Sequence, residues 1–244
     1  MGEAIRRTET RMPVRGILKE TTMLQRHARH SMRYPILIGT YGWNYSQWCG
    51  SFYDADLPED WRLSWYANHF RSVIIPVGLT DSISTDQIDQ WREDTDADFR
   101  FILEIGWDLS GFDPAALSKI EAQFKGQLEA VIFRSEKGAP IDWASLERAR
   151  NELAVAIFCL DILGEDPPDG RYGRCHDVND GDGTGPSPYT VVYFPDGDLA
   201  KIRSALERMK SRRDQKQALI FTHPTRAFED ARQARIIADL LGVS

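Results

Sequence analysis

Cysteines are few in this chain, long apolar runs are missing, and basic residues are outnumbered by acidic ones. Its 244 residues hold 30 Lys and Arg against 37 Asp and Glu, a formal net charge of -7. That balance argues against a general nucleic-acid footprint and against attachment to an anionic membrane, since both need a basic surface. No apolar run approaches the roughly 20 residues of a membrane span, so no contact with a membrane is expected. The N-terminus shows no h-region of a secretory signal. The three cysteines, Cys49, Cys159 and Cys175, are widely spaced and form no CxxC pair. They suit reduced thiols better than a disulfide framework, and a soluble, cytoplasmic protein is the expectation. There is also no P-loop, no G-x-S-x-G and no HExxH, so no cofactor is expected.

The acidity is uneven. Residues 1–31 carry Arg6, Arg7, Arg11, Arg15, Lys19, Arg26 and Arg29 against Glu3, Glu9 and Glu20, leaving the remainder near -11. This stretch lacks a sustained apolar period and reads as a loosely ordered extension, with one domain over residues 32–244. A transit peptide is disfavoured by its glutamates.

From residue 34 onward, short apolar runs alternate with helical patterns. Pro35–Gly39, Val73–Val77, Phe99–Ile105, Ala130–Phe133, Leu153–Leu160, Tyr189–Phe194 and Ala218–Phe221 read as buried strands. Tyr172–Val178 is a weaker eighth. Between them, Leu63, Tyr66, Ala67 and Phe70 fall at helical spacing, as do Leu199, Ile202, Leu206 and Met209. Asp113-Pro114 and Asp142 read as helix starts. Residues 164–188 break the rhythm with six Gly, four Pro and five Asp, where one or two outer helices are expected to be missing. Repeated βα units imply a parallel sheet. Eight of them predict an α/β fold, a short parallel (β/α)8 TIM-type barrel, with an open doubly wound sheet as the rival.

Ligands meet the C-terminal strand ends in either architecture, which directs attention to the loop after the first strand. Gly39–Tyr53 holds six aromatics, among them Trp43, Tyr45, Trp48 and Tyr53. Such rings offer flat faces for a ligand, or they plug the barrel mouth and pack the loop. Gly39-Thr40-Tyr41-Gly42-Trp43, with Tyr45, Trp48, Gly50 and Phe52-Tyr53, resembles the opening signature of the YecE-like family, domain of unknown function 72. Leu57-Pro58, Trp65-Tyr66-Ala67, His69-Phe70, Trp91, Thr95 and Phe99-Arg100-Phe101 extend the likeness, as do Ala218–Phe221, Ala227 and Ala231. The resemblance implies a TIM barrel and leaves the activity open.

Departures from the family pattern imply a divergent member. The family's second strand carries Glu and Asn where this chain has Ile74 and Pro76. Its third strand ends in Lys, here Glu104. Its fifth reads Glu-Phe-Arg-His, here Ala156-Ile157-Phe158-Cys159, and its closing Phe-Asn-Asn becomes Phe221-Thr222-His223. An apolar mouth is therefore expected, binding a small polar ligand or a protein partner through Trp43, Tyr45, Trp48 and Tyr53 without catalysis.

The strand ends also supply Glu104, Asp108, Asp161, Cys175, His176, Asp177 and His223, which barrel geometry would gather at one rim. The alternative function is a hydrolase or lyase using these carboxylates and histidines, with or without a metal. No local ligand spacing such as HxxxH supports a metal site. Asp180–Gly185 resembles the start of a calcium loop, but position twelve is Val191 rather than Glu.

Overall fold

The computed structural model describes residues 33–80, 82–106, 114–134, 143–153, 157–161, 172–179 and 187–244, with backbone alone at 114, 145, 149 and 157–161. Eight strands run in chain order: β1 Ile36–Tyr41, β2 Ser72–Ile75, β3 Arg100–Gly106, β4 Leu128–Arg134, β5 Ile157–Asp161, β6 Gly173–Asp177, β7 Tyr189–Phe194 and β8 Lys216–Phe221. Each pairs in parallel with its neighbours, and β1 pairs with β8 from Ile36 opposite Gln217 to Thr40 opposite Phe221, closing the barrel. The expected (β/α)8 fold is thus the observed one. The expected extension at residues 1–31, the start of a domain at Met32 and the calcium-like loop fall outside the described residues.

The helices among the described residues are α1 Arg62–Ala67, α2 Val77–Thr80, α3 Thr85–Glu93, α4 Pro114–Gln123, α5 Trp143–Glu152, α6 Leu199–Lys210 and α7 Ala227–Leu241. Their local causes are plain in the sequence. Ser84 caps α3 by accepting from the Gln87 N–H at 3.2 Å, and Asp198 caps α6 by accepting from the Ala200 N–H at 2.8 Å; each satisfies an N–H that the helix cannot. Along α7 the buried stripe is Ala227, Ala231, Ala234 and Ala238, small enough for the helix to lie close on the barrel. None of the described helices is long and apolar enough to cross a membrane.

Strand alternation divides the apolar residues into two cores. Outward-facing Val73, Phe101, Val131 and Phe221 join the helices and the β1 loop in one cluster. Inward-facing Ile74, Ile102, Ile132, Val191 and Ile220 fill the lumen in another, joined by Leu37, Tyr41 and Cys175. Gly39, between Leu37 and Tyr41, is obligatory: a Cβ there would sit 2.0 Å from the Ser72 carbonyl oxygen on β2. Close by, the buried Tyr66 hydroxyl of α1 accepts from the Thr40 N–H at 3.0 Å and donates to the Ser72 carbonyl at 2.9 Å, knitting β1 to β2.

Most strand boundaries shift by one or a few residues from the sequence expectation, and at β2 the cause is local. β2 stops at Ile75 rather than Val77, because Pro76 has no N–H for a ladder and its carbonyl accepts from the Leu79 and Thr80 N–H groups to form the turn of α2. The described part of β5 begins at Ile157.

Candidate functional site

The lumen is apolar at mid-height and charged at its C-terminal mouth. Tyr41 ends β1, Arg134 ends β4, and Glu104 lies near the end of β3. All three follow the inward alternation of their strands. Glu104 is fully buried. One of its carboxylate oxygens accepts the Tyr41 hydroxyl, and the other lies 3.4 Å from Arg134 Nη1. The Arg134 guanidinium carbon stands 5.8 Å from the Tyr41 ring centroid and 5.9 Å from that of Tyr193 on β7, within cation–π range of both. Arg134 nevertheless keeps 44% of its side chain exposed.

The Tyr41 phenol is raised well above its ordinary pKa, first by burial, then by its hydrogen bond to Glu104 and by that carboxylate's charge, with Arg134 opposing. Ionising it would put a second negative charge beside Glu104. It therefore remains a hydrogen-bond donor at neutral pH, and the mouth presents a guanidinium oriented by a buried carboxylate and flanked by two rings. That arrangement can recognise an oxyanion by charge-assisted hydrogen bonds. The expectation of an apolar mouth is corrected here: Ile74 does line the lumen, but Tyr41, Glu104, Arg134 and Tyr193 set the character of the opening.

The loop aromatics lie elsewhere. Trp48 is fully buried, its indole N–H donates to the Pro224 carbonyl at 2.8 Å, and its ring packs on Phe52, Tyr53 and Phe228. Tyr53 is buried too, its hydroxyl donating to the Trp43 carbonyl at 2.5 Å. These two rings seal the β1 loop against α7 and present almost no face to a ligand, the packing use of such rings. Tyr45 is half-buried, and its hydroxyl donates to the Tyr41 carbonyl; burial raises its pKa. Trp43 meets Trp91 of α3 edge-on at 5.2 Å and lines a groove on the flank of the barrel, outside the lumen.

The polar residues expected to share the rim are only partly brought together. Asp161 ends β5 opposite Arg134 in register, and its side chain is outside the described set, as is all of Asp108. Asp177 ends β6 opposite Tyr193, and its carboxylate accepts from the Asn179 N–H and side-chain amide at 2.8 and 2.7 Å. His176, expected on the mouth face, instead lines a crevice on the outer wall with Val192, Met209 and Arg212. A single step along a strand reverses the face, so Cys175 has the lumen position. His223 follows β8, where its Nδ1 accepts from the Thr225 N–H at 3.3 Å. Among the described residues, no three His, Cys, Asp or Glu side chains are grouped to hold a metal.

Sequence reasoning missed Tyr41, Arg134 and Tyr193. The signal was available for Arg134, which directly follows the expected strand Ala130–Phe133 and so occupies the C-terminal end where ligands meet barrels. Tyr41 and Tyr193 carry no such mark, being indistinguishable in sequence from packing aromatics.

The comparisons with known proteins agree with this architecture. The family model described as protein of unknown function DUF72 matches residues 37–143. No curated protein matches the sequence. A DUF72 family protein of Thermotoga maritima superposes with TM-score 0.62 at 14% identity, covering 84% of this chain and 100% of its own. One from Enterococcus faecalis gives TM-score 0.59 at 12% identity, over 86% and 96% of the two chains. At these identities the structural likeness speaks to the shared barrel. Residues 37–143, from β1 into α5, are thus the part of the chain that is similar to the DUF72 family.

Proposed function

We propose that this protein binds a small polar ligand bearing a carboxylate or phosphate at the C-terminal mouth of its barrel. The observation that carries the reading is Arg134, held beside buried Glu104 and between the Tyr41 and Tyr193 rings while 44% of its side chain stays exposed. Orienting a guanidinium in advance lowers the cost of engaging an oxyanion, and the rings offer faces or edges to the rest of the ligand. The ligand's negative charge would complement Arg134, while Glu104 and Tyr41 hold the arginine in place. The departures from the YecE-like pattern, with Ile74 where that family has Glu, support a divergent binder over an enzyme retaining the family's polar groups.

The test is isothermal titration of citrate, inorganic phosphate and phenyl phosphate into the wild type and Arg134→Gln. Saturable binding that weakens at least about tenfold in the variant, some 1.4 kcal/mol, supports the reading. Equal affinity in both proteins, or no saturable binding of any of the three, rejects it.

The catalytic alternative draws on one feature, the Tyr41–Glu104 pair, since a carboxylate bonded to a phenol can pass a proton. The histidines it would recruit are separated, His176 on the outer wall and His223 beyond β8. Hydrolysis of phenyl phosphate that vanishes in Glu104→Gln would favour this alternative.

A further inference from the structure

The C-terminal strand ends carry more acid than base. Glu104 lies near the end of β3, Asp161 ends β5 and Asp177 ends β6, while Arg134 is the one cation with which a strand finishes. Glu104 is already committed to Arg134 and to the Tyr41 hydroxyl. An anion entering alone would meet this excess of negative charge, whereas a ligand that brings its own cation would offset it.

Asp177 is the carboxylate placed to receive that cation. Along β6, Cys175 packs with the lumen core and His176 lines the outer wall, so alternation returns Asp177 to the lumen side. The register agrees. Cys175 lies opposite Val191 and Asp177 opposite Tyr193 on β7, and both β7 residues belong to the lumen core. Pairing continues past the strand end, where the Val178 N–H donates to the Tyr193 carbonyl at 2.9 Å, so the backbone fixes this position. The half-buried carboxylate is steadied through Oδ1, which accepts from the Asn179 N–H and side-chain amide at 2.8 and 2.7 Å. A carboxylate has about four acceptor sites, so an ammonium can be added to these contacts.

Tyr193 relates this carboxylate to the arginine. Its ring centroid lies 5.9 Å from the Arg134 guanidinium carbon, and its backbone pairs with Asp177. The carboxylate that Arg134 itself meets is Glu104, at 3.4 Å. A guanidinium and a second carboxylate thus border the same ring at one opening, with Ile74, Ile102 and Ile220 in the lumen core below. Opposite charges above an apolar interior suit a molecule whose anion and cation sit on one carbon with an apolar group attached.

We propose that the mouth selects free α-amino acids with apolar or aromatic side chains, the carboxylate on Arg134 and the ammonium on Asp177. Asp177 is then the residue that sets specificity. This selection rests on the mouth being the oxyanion site proposed above and adds the second charge to it.

Phenylalanine is the probe, with 3-phenylpropionate lacking its ammonium and phenethylamine lacking its carboxylate. Isothermal titration at neutral pH is expected to give saturable phenylalanine binding at least about tenfold tighter than either analogue. Asp177→Asn keeps an oxygen for the Asn179 contacts but loses the charge. It should lower phenylalanine affinity about tenfold and leave 3-phenylpropionate as in the wild type, while Arg134→Gln should weaken both acids. The ranking of the three compounds in the wild-type protein holds its meaning if Asp177→Asn folds poorly. Either analogue binding as tightly as phenylalanine, undiminished phenylalanine affinity in a folded Asp177→Asn, or no saturable phenylalanine binding would each overturn the selection of amino acids. If 3-phenylpropionate or phenyl phosphate still bound in an Arg134-dependent way, the oxyanion site would survive that failure; if no acid bound, both would fall together.

Discussion

Tyr41 and Trp48 leave the C-terminal end of the same strand and meet opposite fates. Trp48 turns outward into a stack with Phe52, Tyr53 and Phe228, and even its indole N–H is consumed by the Pro224 carbonyl. Tyr41, still on the strand, faces the lumen, where its hydroxyl binds Glu104 and its ring borders the partly exposed Arg134. In the outer cluster every polar group of Trp48 is satisfied and water is excluded, so the aromatics contribute stability. At the mouth the aromatics border a charge that still reaches solvent, so they are available for recognition. An aromatic-rich loop after a barrel strand is therefore not itself a binding surface; what decides is which side of the wall each ring occupies.

The sharpest way to break this comparison is Trp48→Ala. Removing a fully buried indole and its hydrogen bond should cost about 3–5 kcal/mol, read from urea unfolding. A loss below about 1 kcal/mol would mean the stack is not what holds the β1 loop to α7. Next comes Gly39→Ala, where the new methyl meets the Ser72 carbonyl. Forcing β1 and β2 apart should cost about 1–3 kcal/mol, and a melting temperature equal to wild type would show that the strands can part without loss.

Glu104→Gln sharpens the other side. The amide keeps the shape but loses the charge that faces Arg134, and about 1–3 kcal/mol of stability should go with it. Unlike Trp48→Ala, this change should also weaken binding of phenyl phosphate at the mouth by freeing Arg134 to other orientations. Stability lost with affinity intact would make Glu104 a purely structural carboxylate.

The smallest effect is expected at Asp94, and its sign is a gain. Its folded pKa is raised, so the folded state takes up a proton more readily than the unfolded chain, and the ionised group opposes folding at neutral pH. Asp94→Asn should therefore melt slightly above wild type at pH 7. That advantage should shrink as pH falls through the raised folded pKa and disappear below the ordinary carboxylate range. An advantage that persists in acid would trace to something other than the charge of Asp94.

Most of the scaffold was legible in the residues. The eight strand segments and the helical spacing of Ile202, Leu206 and Met209 along α6 follow from short-range chemistry, the period of the apolar residues. Glu104 was legible for a similar reason, as a charge near the end of an apolar strand. His176 was misread because strand ends were treated as equivalent, whereas Cys175 and His176, adjacent in sequence, face opposite sides of the wall. The roles of Trp48 and Tyr53 were undecidable, since a ring that packs and a ring that binds have the same composition and spacing.

The sequence by itself determined which segments become strands and helices and that the strands repeat in parallel, because hydrophobic period and capping act over a few residues. Tertiary structure alone decided that Tyr41, Glu104, Arg134 and Tyr193 meet around one opening while Trp43 joins Trp91 on the outer flank. Those meetings depend on closure of β8 onto β1 and on the register of each strand against its neighbours. A shift of one residue in any strand would exchange its lumen and outer faces, and no local pattern records which way that choice falls.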